Sequence, residues 1–143
     1  MKTIIALAML ALSLTTFACP TLEGTFKSCK RIQGGPMQKK SYDIKQTLYD
    51  SGFEFSVTEI YGAGDSLNEV YKADGKTYEK SITYDSLPTQ SYSQKSYCQG
   101  NELVIETVTG GNYLSVIHMS VSQDTLTVTQ KSGDSIPDIT TCK

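Results

Sequence analysis

Alternation of polar and apolar residues, interrupted by turn residues about every 8–12 positions, constrains this chain more than any other feature. The clearest case is Val70-Tyr71-Lys72-Ala73-Asp74-Gly75-Lys76-Thr77-Tyr78-Glu79-Lys80-Ser81-Ile82-Thr83-Tyr84. A period of two sends successive side chains to opposite faces of a strand. Asp-Gly between two such runs predicts a two-residue hairpin, because both central residues of that turn take φ > 0. The pattern recurs along the chain. Leu22 to Cys29 reads as a strand and Arg31-Ile32-Gln33-Gly34-Gly35-Pro36 as turn chemistry. Ser41 to Tyr49, Phe53 to Thr58, Ser91 to Cys98, Leu103 to Thr109, Tyr113 to Val121, Thr125 to Gln130 and Ile139 to Cys142 alternate in the same way. Between them stand Asp50-Ser51-Gly52, Gly62-Ala63-Gly64-Asp65, Leu87-Pro88, Gln99-Gly100-Asn101, Gly110-Gly111-Asn112, Ser122-Gln123-Asp124 and Ser132-Gly133-Asp134. The expectation is an all-β fold of about 8–10 antiparallel strands.

Short connections favour pairing between strands that are neighbours in sequence. An open meander of this size leaves two unpaired edges, and closure into an up-and-down barrel removes them. The dry face holds Phe53, Phe55, Val57, Tyr78, Ile82, Leu103, Ile105, Ile117, Met119, Leu126 and Val128. A barrel of this strand number either fills with such side chains or holds one small ligand.

The first residues stand apart from this pattern. Met1-Lys2 is a positive start, Ile4 to Leu14 an apolar run, and Thr16-Phe17-Ala18 a small-x-small site, the layout of a secretory leader of bacterial type. The apolar run is shorter than the about 20 residues of a spanning helix. Residues 1–18 are therefore read as a signal peptide and 19–143 as one barrel domain, destined for the periplasm or the medium. Of 13 basic and 15 acidic residues, Lys2 falls in the leader, leaving 12 basic residues and a net charge of −3. Lys30-Arg31 and Lys39-Lys40 are isolated pairs, so the basic face of a nucleic-acid binder is absent.

Cys19, Cys29, Cys98 and Cys142 are an even set in an exported chain and read as two disulfides, with three connectivities open. Strand parity puts Cys98 and Cys142 at the same end of a meander, which favours Cys98–Cys142 with Cys19–Cys29. Cys29–Cys142 across the closing seam stays open. Cys19 is also where a bacterial lipoprotein would carry its lipid. Thr16 stands where such signals have Leu, and lipidation would strand three thiols, so soluble export is the favoured alternative.

The order of elements resembles the calycin superfamily, the lipocalins and intracellular fatty-acid-binding proteins. Leu22-x-Gly24-x-Phe26 resembles the first-strand signature that plugs those barrels, and Ala73 to Thr83 looks like the middle hairpin of a fatty-acid-binding protein. The resemblance implies a lipocalin-like barrel around a small apolar ligand. Two departures limit it. The segment from Arg31 to Lys40 is too short and too rich in Gly and Pro for the helical pair of fatty-acid-binding proteins. Their Arg-x-Tyr carboxylate clamp in the last strand is replaced by Ile139-Thr140-Thr141. Fatty acid is therefore not carried over as the ligand.

Little in the inventory supports catalysis. His118 is the sole histidine and its parity, between Ile117 and Met119, points outward. No serine lies in a nucleophile elbow, and the cysteines lack zinc-ligand spacing. Glu54 with Glu59, or Glu69 with Glu79, would make acid–base pairs across strands, but solvated outer-face charge is the ordinary reading. Nine tyrosines without a tryptophan offer apolar bodies with hydroxyl tips, suited to a ligand pocket or a contact patch. The expected ligand-binding residues are Phe53, Phe55, Tyr71, Tyr78, Tyr92, Ile105, Ile117 and Met119. The sequence reading is a monomeric, non-enzymatic carrier of a small apolar or amphipathic molecule, without cofactor or metal. The alternative is an exported interaction protein, such as an inhibitor of an envelope or extracellular protein, acting through the loops at Gln33–Pro36, Gly62–Asp65 and Ser132–Asp134.

Overall fold

The computed structural model describes residues 19–36, 40–49, 52–62, 64–83, 87–110 and 112–143. The expected leader, Lys39, the Asp50-Ser51 turn, Ala63, Tyr84 and Gly111 lie outside the described residues.

Among the described residues eleven strands follow one another: β1 (Gly24–Phe26), β2 (Lys30–Gln33), β3 (Lys40–Tyr49), β4 (Gly52–Tyr61), β5 (Ser66–Lys72), β6 (Thr77–Ile82), β7 (Gln90–Gln99), β8 (Glu102–Thr109), β9 (Tyr113–Ser122), β10 (Thr125–Ser132) and β11 (Asp138–Cys142). They form two antiparallel sheets, ordered β1-β3-β4-β5 and β2-β11-β10-β9-β8-β7-β6. β1 and β2 are two halves of one bent strand. Phe26 pairs with Tyr42 in the first sheet, and Lys30 with Thr141 in the second. The amides of Lys27 and Ser28, in the bend, both donate to the carbonyl of Lys143 at 2.7 and 3.1 Å. Arg31 to Gln33, expected as turn, thus belongs to a strand, because the edge of β11 supplies its hydrogen-bond partners.

The other junction of the sheets is open, which corrects the expectation of full closure. β5 and β6, the runs on either side of Asp74-Gly75, do not pair with each other; β5 pairs with β4, and β6 with β7. The reason is local. Gly75 has φ 73°, but Asp74 is not in the positive-φ region, so the two-residue turn that closes a tight hairpin does not form. The Asp74 carboxylate instead accepts the Lys76 amide at 2.9 Å and the Tyr78 hydroxyl at 2.6 Å, and the Gly75 amide donates to Ser96 of β7. Burial pushes the Asp74 carboxyl up, but the hydrogen bonds from Tyr78, Lys76 and Tyr49 outweigh it and hold it below the usual carboxylate range. A turn with both central residues at positive φ occurs elsewhere, at Gln123 (49°) and Asp124 (58°), where Ser122 pairs with Thr125.

The last residues of β3, β5, β7 and β9 gather at one end of the barrel with residues 19–23 and the last residues of the chain. This end is closed. Leu22 is fully buried there, its amide bonded to Gln46 Oε1 at 3.1 Å, and Phe26, Ile44, Phe55, Leu103 and Leu126 pack around it. Two disulfides staple it, Cys19–Cys98 and Cys29–Cys142. The pairing favoured by strand parity is therefore corrected. Cys98 and Cys142 do share an end, but the register Lys30↔Thr141 makes Cys29 the cross-strand neighbour of Cys142, their Cα atoms 3.9 Å apart. Cys19 lies beside Cys98 at the end of β7, with Cα atoms 5.1 Å apart. With all four sulfurs so joined, none is available to a metal. Among the described residues no helix is long and apolar enough to cross a membrane.

Candidate functional site

Strand parity sorts the interior. On β4, Phe55 and Val57 are buried, and Glu59 and Tyr61 continue the same face toward the open end. On β5, Glu69 shares the face of buried Tyr71, and on β3 Lys40 shares that of Tyr42 and Ile44. The interior thus changes character along its axis, apolar near the closed end and ionisable toward the mouth. Reading Glu59 and Glu69 as outer-face charge is corrected here. Their parity with Phe55 and Tyr71 was the signal that could have placed them inside. Glu54 and Glu79 have the opposite parity, so neither expected acid–base pair assembles.

Each interior carboxylate has partners, as buried charge requires. Glu59 accepts the Tyr61 hydroxyl at 2.7 Å and pairs with Lys40 at 2.6 Å. Glu69 accepts the hydroxyl of Tyr71. Lys80, on β6, reaches across the open junction to the carbonyl of Val70 at 3.1 Å and also donates to Gln94 Oε1. That side chain supplies a hydrogen bond where the backbone ladder is missing. On the outer surface His118 Nδ1 lies 2.8 Å from Glu102 Oε2, in keeping with its expected parity.

These carboxylates act on the interior tyrosines. Burial, then the hydrogen bond and charge of Glu59 and the charge of Glu69, pushes Tyr61 up to about 12. Burial followed by the charges of Glu59 and Glu69, respectively, drives Tyr42 and Tyr71 further above the ordinary phenol range. A raised folded-state value means that the unfolded chain gives up the proton first. Stability present below about pH 10 is then lost as pH rises through about 12 and above. In an alkaline titration, tyrosinate absorbance of these side chains should grow together with loss of the β-sheet circular dichroism signal. Full ionisation of the tyrosines with the sheet signal intact would contradict the buried Tyr–Glu arrangement.

The core does not fill the barrel. A cavity of about 580 Å³ lies among β5 to β9, lined by Tyr71, Tyr92, Ile82 and Ile117 with Glu69, Gln94 and Thr107. It shares Glu69, Ile82, Tyr92 and Gln94 with a second space of about 520 Å³ in the junction between β5 and β6, where Tyr78 and Lys80 stand. A third cleft of about 330 Å³ lies beside Cys19–Cys98 and includes Phe53. Of the residues expected at a ligand site, the structure brings Tyr71, Tyr92 and Ile117 together on the cavity wall. Tyr78 lines the junction and Phe53 the separate cleft. Phe55, Ile105 and Met119 are packed into the closed half and do not line the cavity.

The architecture matches solved structures. A REP1-NXSQ fatty acid transporter shares 14% identity at a TM-score of 0.58, over 85% of this chain and 94% of that one. Secretory abundant heat soluble protein 4 from Ramazzottius varieornatus gives 14% identity and 0.55, over 74% and 69%. The fatty-acid-binding protein of Manduca sexta gives 16% identity and 0.51, over 74% and 73%. No protein-family model matches the sequence, and no curated protein is significantly similar to it. At such identities the likeness establishes the fold. This chain has an antiparallel β-barrel fold like that of these proteins, open between β5 and β6.

Proposed function

We propose that the chain is an exported, non-enzymatic carrier that holds one small amphipathic molecule inside its barrel. The observation that carries this reading is the half-filled interior. Core side chains close one end, while a cavity of about 580 Å³ with aromatic, aliphatic and polar walls stays open in the other half. That volume lies within the range of about 300–1,000 Å³ typical of small-molecule sites. Two structurally similar proteins bear names that refer to fatty acids, which supports a ligand with an apolar tail. Two disulfides and the leader-like first 18 residues support passage into an oxidising compartment.

A neutral apolar dye, Nile red, tests the cavity. The protein should bind it with a fluorescence increase, and Ile117→Trp should weaken binding about tenfold by filling the site, with the sheet signal retained. Unchanged affinity in that variant would put the dye elsewhere and remove the support for an interior site.

The loop-borne reading has its own observation. Of the loops at issue, Gln33–Pro36, Gly62, Gly64, Asp65 and Ser132–Asp134 sit at the open end, where exposed Ile32, Leu67, Leu87, Tyr113 and Ile136 also stand. On that reading the mouth contacts an envelope or extracellular protein, and Ile136→Asp abolishes the contact without affecting Nile red binding.

A further inference from the structure

We propose that the cavity takes a cationic amphiphile, an organic ammonium head on an apolar tail, with the Glu69 carboxylate as counter-ion. This rests on the reading of the cavity as a ligand site and adds the sign of the ligand's charge. Among the described residues that line the cavity, Glu69 is the one with a charged side chain. It stands at the boundary with the junction between β5 and β6, so a head group entering either space meets it. Glu69 Oε2 accepts the Tyr71 hydroxyl, and a carboxylate has lone pairs on both oxygens with which to accept a further donor from the ligand. Tyr92 adds aromatic surface, which attracts ammonium groups, while the Tyr71 ring already faces Lys80 Nζ at 5.6 Å, and Ile82 and Ile117 give the tail an apolar wall.

On the cavity wall itself a ligand carboxylate meets no cationic side chain. Lys40 is paired with Glu59 at 2.6 Å and does not line the cavity. Arg31 donates to the Gly35 carbonyl at 3.1 Å, lies 3.8 Å from Asp138, and is also absent from the wall. Lys72 and Lys80 line the junction rather than the cavity; Lys80 is held by the Val70 carbonyl and Gln94 with its Nζ 5.6 Å from the centre of the Tyr71 ring, and Lys72 Nζ lies 5.6 Å from that of Tyr78. A carboxylate placed in the cavity would instead face Glu69, and like charges in a partly desolvated site repel.

The test is calorimetry with three ligands that share a ten-carbon tail, decylammonium, decanol and decanoate, each below its micelle-forming concentration. Decylammonium should bind about tenfold or more tightly than decanoate, with decanol between them, as expected for one charge-assisted hydrogen bond gained or one repulsion incurred. Glu69→Gln, checked for its sheet signal, should bring decylammonium down to the affinity of decanol. Lys80→Met, which removes one of the two cations lining the junction, should widen the preference for the ammonium. If decanoate binds as tightly as decylammonium, or more tightly, the counter-ion assignment is wrong while the carrier reading stands. If none of the three binds, the carrier reading fails and takes this proposal with it.

Discussion

Phe55→Ala is expected to destabilise the protein by about 3–5 kcal/mol, the range for removing a fully buried phenylalanine ring. Phe55 is 0% exposed in the middle of β4, opposite Gln46 of β3 and Tyr71 of β5. Its ring is tilted against that of Phe53 with centroids 6.4 Å apart. The neighbours on both sides belong to hydrogen-bonded strands, so the backbone cannot collapse into the space the ring leaves. Against a total stability of about 5–15 kcal/mol for a domain, such a loss removes a large fraction of the folded margin. Urea denaturation should show a much lower midpoint with an unchanged slope, because the surface exposed on unfolding is nearly the same. Leu48→Ala is the control, since Leu48 is 73% exposed and should change stability by less than about 0.5 kcal/mol. A loss for Phe55→Ala as small as that of the control would mean that the closed half is not packed around this ring.

The Cys29–Cys142 bond is the second feature with a large expected effect. It ties positions 113 residues apart and holds the bent first strand against the last one, at the seam where the two sheets meet. The paired replacement Cys29→Ser/Cys142→Ser is expected to cost about 2–5 kcal/mol. Its connectivity can be read directly. Cleavage after Lys27, Lys30, Lys95 and Lys131 puts the four cysteines on four separate peptides. Without reductant, mass spectrometry should find the Cys19 peptide joined to the Cys98 peptide, and the Cys29 peptide joined to the Cys142 peptide. Recovery of Cys19 with Cys29, and of Cys98 with Cys142, would restore the strand-parity pairing and contradict the register of β2 on β11.

These two features divide what was legible in the residues from what was not. Phe55 showed its position through alternation with Glu54 and Ser56, and so did Leu103, Ile105, Met119 and Leu126. The same parity was present for Glu59 and Glu69, yet charge outweighed it in the reading, because an unpaired carboxylate in a core is costly. Their partners Lys40, Tyr61 and Tyr71 make the placement affordable, and two of those partners lie two residues further along the same strand as the carboxylate they serve. The cavity wall was therefore half legible. Tyr71, Tyr92 and Ile117 alternate onto the inner face, but nothing local separates them from Phe55, Ile105 and Met119, which share that face and sit in the packed end.

By itself the sequence determined the all-β class, the strand spacing, the faces of the strands and the even set of cysteines. Each of these follows from side-chain alternation, turn chemistry or count, which act over a few residues. Tertiary structure alone decided that β5 and β6 part at Asp74-Gly75, that β1 and β2 bend from one sheet to the other, and that Cys29 meets Cys142. Those outcomes depend on which edges meet when the whole ring of strands is assembled. A tight hairpin at Asp74 competes there with hydrogen bonds from Tyr78 and Lys76 to its carboxylate and from the Gly75 amide to the Ser96 carbonyl, and the hairpin loses. The cavity too is a tertiary feature, since the side chains that pack the closed end leave the half beside the open junction unfilled.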